Sequence, residues 1–597
     1  MKMPNFAHGV FLVDFEFHPA GHVEGNLPEP VCMVVLEVNT GNCVRYWQDE
    51  LQQMTCAPFP TGSEALMVAY YASAELDCFH ALGWPKPIHV LDLYTEFRCL
   101  TNGTQLASGR GLVGAMTYFG LPSIGGTKKD AMRDLVLAGG PWDAKERSAI
   151  LDYCEADVRA LESLLAAMHD KIDWPRAFLR GSYMKAVSGM QCAGVPIDLG
   201  TLEQLRLYWS SIQDELIQAV DQNYGVYEQG AFRVANFESY LKHQNIDWPR
   251  HDTGRLDLAE DVFREMARRH PKLQSLHQLR VSLAQLRMIG LTVGTDARNR
   301  CLLSPFSSKT GRNQPSTTRF IYGPAAWLRG LIKPATGFGL AYIDYSQQEF
   351  GIAAALSGDQ AMKAAYESGD PYLAFAIQAG AAPPTATKHS HGAIREQYKA
   401  CVLAVQYGMG AQSLALRLGQ PTEKARQLLE AHQRTYPTFW RWSDDTVDHA
   451  QLHGSLTTVL GWCLQTGPGD RAPSIRNFPM QANGAEMLRL ACVYLMQAGI
   501  TVCAPVHDAL LIEAPLDVLE PCANRAKELM TTASKDILGG FPLRSDVELI
   551  RYPDRYGSER GLDMWNMVMD LINKRRQSAG GTPGSVPDPS ILITNSI

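Results

Sequence analysis

Asp344 closes an apolar run, Leu340 to Ile343, and Asp508 stands beside His507 between two further apolar runs, Ile500 to Val506 and Ala509 to Ile512. A short apolar run bounded by glycines reads as a buried strand. Two such runs around a tight polar pair read as a hairpin with the pair at its tip. If these segments share a sheet, the two carboxylates meet at one edge. Paired carboxylates can hold two hard cations about 4 Å apart, an arrangement that clamps the attacking and leaving oxygens in phosphoryl or nucleotidyl transfer. Taken alone, Asp344 reads as a helix cap after a core strand.

Between the two aspartates, Arg395, Lys399, Leu403 and Tyr407 are spaced by four and followed by Gly408. On a helix they form one slowly drifting stripe. A guanidinium and an ammonium suit triphosphate oxygens, and the apolar and aromatic positions suit a nucleobase. A solvated basic face is the plain alternative. Near the start, GVFLVDFEF puts Asp14 and Glu16 on one side of a strand. Two acids on an otherwise apolar strand are costly unless they are solvated or bind metal. Glu146 to Lys171 has helical periodicity, with Tyr153 and Asp157 one turn apart beside its apolar face.

These stretches resemble the motifs of family A DNA polymerases, the group that includes bacterial DNA polymerase I and several phage enzymes. The family's D-Y-S-Q-x-E is matched by Asp344, Tyr345, Ser346, Gln347 and Glu349. Its R-x3-K-x3-F-x3-Y-G is matched at Arg395, Lys399, Tyr407 and Gly408, with Leu403 in place of the usual aromatic. Its H-D-E is matched at His507 and Asp508, with Ala509 replacing the glutamate. The resemblance implies that Asp344, Tyr345 and Asp508 hold two Mg²⁺ ions, with Mn²⁺ as an alternative. It also implies that Tyr345, Ser346, Gln347, Arg395, Lys399, Leu403, Tyr407 and His507 line the dNTP site. Lys399 is the implied proton donor to pyrophosphate, and Glu349 the residue that excludes a 2′-OH.

D-x-E followed by Y-x3-D resembles the 3′→5′ proofreading exonuclease of the same polymerases, an RNase H-like fold with two metals. That resemblance makes Asp14, Glu16, Glu75 and Asp157 ligands of a second Mg²⁺ pair and makes Tyr153 the residue that orients the attacking water. The middle motif departs from the family: Tyr71 and Glu75 stand for asparagine and aspartate, with Gly83 at the glycine position, and Asp77 and Asp92 compete for the acid.

The formal charge of −7 looks wrong for a nucleic-acid enzyme, yet 297–343 contains no acid among seven Lys and Arg residues. Phosphates are bound by such local surfaces, not by net charge. Ser308, Thr310, Gly311 and Arg312 fit the family's S-x-T-G-R, which contacts primer–template, and Asn477 and Gln481 fit its minor-groove pair. Thirteen cysteines without a C-x2-C pair argue against a disulfide framework or zinc ribbon and fit a reducing cytoplasm. No signal peptide or membrane span is expected, since Arg489 and Gln497 interrupt the longest apolar region.

A chain of 597 residues exceeds one core. The expected fold is multidomain α/β and α+β: an RNase H-like exonuclease domain followed by a right-hand polymerase. The expected boundaries are exonuclease-like 1–175, thumb 176–300, palm 301–360 and 456–574, fingers 361–455, and a disordered tail 575–597. GVPID, ending at Asp198, marks entry to the polymerase region, and His389 and His391 are expected in an exposed loop. The absence of an upstream 5′-nuclease domain fits a phage-type replicase, monomeric, working with helicase, primase or single-strand-binding partners. A single-subunit RNA polymerase and an inactive primer–template scaffold are the competing classes.

Overall fold

The computed structural model describes residues 6–122, 126–251, 253–285, 290–323, 326–557 and 561–578. They group into two units. The larger contains residues 1–195, 293–315 and 336–551; the smaller contains 196–292, 316–335 and 552–597.

The larger unit holds two sheets. The first is built on β1 (Val10–Pro19), whose apolar half is buried and whose second half carries Asp14 and Glu16. It pairs antiparallel with β2 (Pro28–Glu37), and β2 in turn pairs antiparallel with β3 (Cys43–Trp47). On its other side β1 runs parallel to β4 (Leu66–Ala69), which runs parallel to β5 (His89–Asp92). The order is therefore β3-β2-β1-β4-β5. Helices α1 (Ser73–Ala81), α2 (Leu93–Thr101), α3 (Gly126–Leu137) and α4 (Ala144–Met168) follow, and α4 starts at a capping box between Asp143 and Glu146. Leu12, Val34, Val68, Leu91, Phe97, Ile150 and Trp174 join in one core.

α5 (Trp174–Ala193) packs on β5 and α1. At its closest point Gly181 lies against the Val90 carbonyl, where an added Cβ would sit 1.9 Å from the oxygen, so only glycine allows the approach.

The second sheet centres on β6 (Phe338–Tyr345), where Leu340, Ala341 and Ile343 are fully buried. Gln347 takes a left-handed φ of 49° and turns the chain into α6 (Gln348–Ser357). After α7 (Pro371–Gln378) and α8 (Gly392–Gln406) comes α9 (Ala472–Gln497), which packs on α5 and α6. Strands β7 (Thr501–Val506) and β8 (Ala509–Pro515) form the expected hairpin, α10 (Leu519–Ile537) covers the sheet, and β9 (Ser545–Arg551) completes it. The sheet is antiparallel throughout, in the order β7-β8-β6-β9.

The smaller unit is helical, with a core of Phe237, Trp248, Phe263 and Leu276. Phe237 and Phe263 stack at 5.3 Å, and Asp198 joins Arg555 at 2.8 Å while capping the helix that starts at Leu199.

Of the stretch 176–300, only 196–292 groups in the smaller unit. The tail expected from 575 is helix as far as Ser578, and the rest of it, 579–597, lies outside the described residues. No helix among the described residues is long and apolar enough to cross a membrane. His389 and His391 are in irregular structure before α8, where His389 is exposed and His391 partly so.

Candidate active sites

β6 delivers Asp344 to the end of the sheet, in register with Ala509 on β8 and with Asp546 on β9. The β7–β8 turn brings Asp508 to the same end, where its carbonyl accepts from the Tyr345 amide at 3.3 Å. His507 supports that turn with a left-handed φ of 58°. Burial, then Asp508 and Asp546, pushes the Asp344 pKa up to about 7, and burial also raises Asp508. Asp344 Oδ1 is buried with no hydrogen-bond partner. An orphaned carboxylate oxygen beside a second carboxylate is a donor set that fits a hard divalent cation.

The other residues of the first motif are placed unevenly. Tyr345 is 1% exposed, and its hydroxyl donates to the Met530 carbonyl at 2.7 Å, so its side chain belongs to the core and not to a triphosphate site. Ser346 donates to Asp546 Oδ2 at 2.6 Å. The Gln347 amide oxygen accepts from Arg544 at 3.3 Å. Glu349 Oε1 lies 3.6 Å from Arg312. Its pKa is raised by burial, against the pull of Arg312 and with a further push from Asp508. Gln481 is near enough to the Glu349 carboxylate to hold its pKa down against burial, whereas Asn477 has a buried Oδ1 without a partner.

Arg395, Lys399 and Leu403 lie on α8, and Tyr407, half exposed, caps its end. Burial raises the Tyr407 pKa, helped by nearby Glu349. Arg395 is engaged by Asp370 at 2.5 Å and Glu396 at 2.6 Å. Lys399 lies 3.9 Å from Glu396, and both cations sit over the Tyr372 ring, at 5.4 and 5.9 Å. Any anion bound at these cations would have to compete with Asp370 and Glu396.

In the first sheet, Asp14, Glu16 and Asp157 bring carboxylate oxygens within 4.8 Å of one another. Burial, then Asp157, pushes Asp14 up to about 7, while burial and Asp14 push Glu16 up to about 10. Acids crowded together away from solvent fit a divalent cation by the chemistry of the donor set. Tyr153 is buried beside them, and burial, then Asp157, raises its pKa far above the ordinary range.

Glu75 stands apart from the three clustered acids. Its Oε2 accepts from the Phe15 amide at 2.8 Å, and burial, then Asp14, raises its pKa. Tyr71 packs on Tyr94 and donates its amide to Asp92. Asp92 caps α2, and Asp77 accepts from Gln191 at 2.8 Å, so both competing acids have structural partners. Two residues lay outside the sequence motifs. Lys129 on α3 reaches Asp157 Oδ2 at 2.7 Å and lies 5.6 Å from the Tyr153 ring. Asp546, on β9, faces Asp344 on β6. Lys129 sits in an ordinary charged helix, but Asp546, at the start of an alternating strand, had a usable signal in its position.

Residues 324–549 match the family model described as DNA polymerase family A. That stretch, similar to the family, carries most of the β6–β9 sheet with Asp344 and Asp508. DNA polymerase I of Chloroflexus aurantiacus is 24% identical over 452 residues, covering 69% of this chain and 46% of that protein. The thermostable DNA polymerase I of Thermus thermophilus is 25% identical over 452 residues, covering 69% and 51%. The DNA polymerase of Mycobacterium phage L5 is 27% identical over 251 residues, covering 41% and 40%. The chain thus spans about half the length, or less, of these curated relatives. In fold it is similar to the POL domain of Pol1 from M. smegmatis, solved in complex with DNA primer-template and dNTP. The TM-score is 0.70 at 19% identity, with 92% of this chain and 96% of that one covered.

Proposed function

We propose that this chain is a template-directed DNA polymerase that extends a primer 3′ end with dNTPs and carries a 3′→5′ proofreading nuclease. The observation that carries the polymerase reading is the meeting of Asp344 and Asp508 at one sheet end, with Asp344 Oδ1 buried and unpartnered. The ligands named for the Pol1 relative's complex support primer–template DNA and a dNTP as the ligands here.

Two Mg²⁺ ions, or Mn²⁺, held by Asp344, Asp508 and the Tyr345 backbone would supply Lewis-acid activation of the 3′-OH and charge neutralisation on the triphosphate. The chain's own residues do the rest. Arg395 and Lys399 exchange Asp370 and Glu396 for phosphate oxygens, and Lys399 gives a proton to the leaving pyrophosphate. Glu349, between Arg312 and Asp508, stands against the sugar and disfavours a 2′-OH. Tyr407 and Leu403 offer the base an apolar and aromatic surface, and Gln481, Asn477 and Arg312 hold the primer–template.

The nuclease reading is supported by the sheet order β3-β2-β1-β4-β5, which suits an RNase H-like fold, and by the Asp14, Glu16 and Asp157 cluster. Those acids would hold the second metal pair, and Tyr153 would orient the attacking water. Glu75, bonded to the β1 backbone, supports the strand that carries two of them. We place the protein in phage-type replication in a bacterial cytoplasm, as a monomer beside helicase, primase or single-strand-binding proteins.

The test is primer extension with Mg²⁺ and either dNTPs or NTPs, run beside degradation of a single-stranded 3′ end. Extension with dNTPs supports the proposal. Extension with NTPs alone makes the enzyme an RNA polymerase, and primer–template binding without extension makes it a scaffold.

A further inference from the structure

The stretch 304–313 leads to Arg312, which stands 3.6 Å from Glu349 and beside Asp508. Ser304 and Phe306 hold left-handed φ values of 47° and 58°, a region that side chains seldom adopt unless surrounding structure enforces it. From Phe306 onward the enforcing partners are side-chain donors. Arg98 gives Nε and Nη2 to the Phe306 carbonyl at 3.0 and 2.8 Å and Nη2 to the Ser307 carbonyl at 2.7 Å. Asn102 Nδ2 bridges the carbonyls of Lys309 and Cys463 at 2.7 and 2.8 Å. Arg489, from α9, takes the Gly311 carbonyl at 2.7 Å.

Arg98 and Asn102 come from the nuclease-like sheet region: Arg98 lies on α2 and Asn102 ends it. They are 6% and 1% exposed. Among the described residues no carboxylate pairs with Arg98, so its guanidinium is committed to backbone carbonyls. α2 is itself pinned, because Glu96 takes both arms of the α5 residue Arg180 at 2.6 and 2.7 Å. Loop carbonyls outside a sheet ladder need such donors, and charged donors make the stronger bonds.

We propose that Arg98 and Asn102 are positioning residues for nucleotide addition, holding the 306–309 backbone so that Arg312 is presented to Glu349 and Asp508. The nuclease-like region is then part of the polymerase scaffold whether or not it cuts DNA. The proposal rests on the polymerase reading above.

The test uses the full chain with Arg98→Met, Arg98→Lys, Asn102→Ala and Arg312→Ala, singly and with each of the first three joined to Arg312→Ala. Arg98→Met should weaken primer–template binding and lower kcat/KM about tenfold, as loss of a charge-assisted bond does. It should also speed trypsin cleavage after Lys309 and Arg312 relative to the wild type. Arg98→Lys should recover part of each effect. Joined to Arg312→Ala, Arg98→Met should cost nothing further, because coupled residues are not additive. Wild-type binding with an unchanged cleavage rate, or fully additive losses, overturns the proposal. If Arg98→Met does not melt cooperatively, Asn102→Ala decides through the same cycle. Failure of the wild type to extend a primer overturns the polymerase reading instead, and the trypsin comparison still judges the clamp.

Discussion

The two carboxylate clusters of the larger unit solve the same electrostatic problem differently. In the nuclease-like cluster an ammonium from the chain itself, Lys129, stands 2.7 Å from Asp157. In the polymerase cluster Arg312 pairs with Glu349 at 3.6 Å, and Asp344 keeps an oxygen with no partner. One cluster is partly neutralised from within. The other is left open to whatever cation arrives. Like-charged acids in a low-dielectric site either take up protons or recruit a cation, and the raised pKa values of Asp14, Glu16 and Asp344 express that choice.

The sharpest way to break this comparison is to disable each cluster alone. Asp344→Asn or Asp508→Asn should reduce primer extension by about 10³-fold or more while leaving 3′-end degradation intact. Asp14→Ala with Glu16→Ala should do the reverse. Loss of both activities from either change, in protein that still melts cooperatively, would merge the two clusters into one site.

A smaller effect tests what surrounds the open cluster. Glu349→Ala should raise ribonucleotide use relative to deoxyribonucleotide about ten- to a hundredfold, read as the ratio of kcat/KM values. An unchanged ratio would put sugar selection elsewhere.

The internal ammonium gives a third contrast. Lys129→Met should tighten Mn²⁺ binding at the nuclease-like cluster about tenfold, because a competing positive charge is removed. Paramagnetic titration in an Asp344→Asn, Asp508→Asn background reads that site separately. Weaker binding would mean that Lys129 orders the acids instead of competing for them.

The last contrast is in pH. Asp14 rises from 3.8 to about 7 and Glu16 from 4.5 to about 10. The folded state therefore holds protons that the unfolded state has released, and stability falls as pH rises through that window. Without divalent cations, the melting temperature should decline by a few degrees from pH 5 to pH 8. Saturating Mg²⁺ or Asp14→Asn with Glu16→Gln should flatten the decline, and an unchanged slope in that variant would assign the dependence to other groups.

Much of this architecture was legible because strands that end in carboxylates announce themselves: Asp344, Asp508, Asp14 and Glu16 all interrupt apolar runs. The stripe from Arg395 to Tyr407 was equally plain, since helical spacing is local. Partner choice was not legible. Nothing in D-Y-S-Q-x-E says that the Tyr345 ring turns inward to Met530, nor that Asp370 takes Arg395, because both depend on residues far away in sequence. The motif position of Glu75 does not say that its Oε2 accepts from the Phe15 amide, a contact that spacing cannot reveal. The tail misled through composition: its Gly, Ser and Pro content belongs to 579–597, whereas the amphipathic run before it stays helical to Ser578.

His507 directly precedes Asp508 and Gln347 follows Asp344 by three residues, and both hold φ values that suit glycine, 58° and 49°. Each side chain there raises the folded state by about 1 kcal/mol relative to glycine. A chain selected only to stay folded would carry glycine at both places. His507→Gly and Gln347→Gly should accordingly melt higher and extend primers more slowly, and the gap between those two measurements gives the tension between endurance and turnover at this sheet edge.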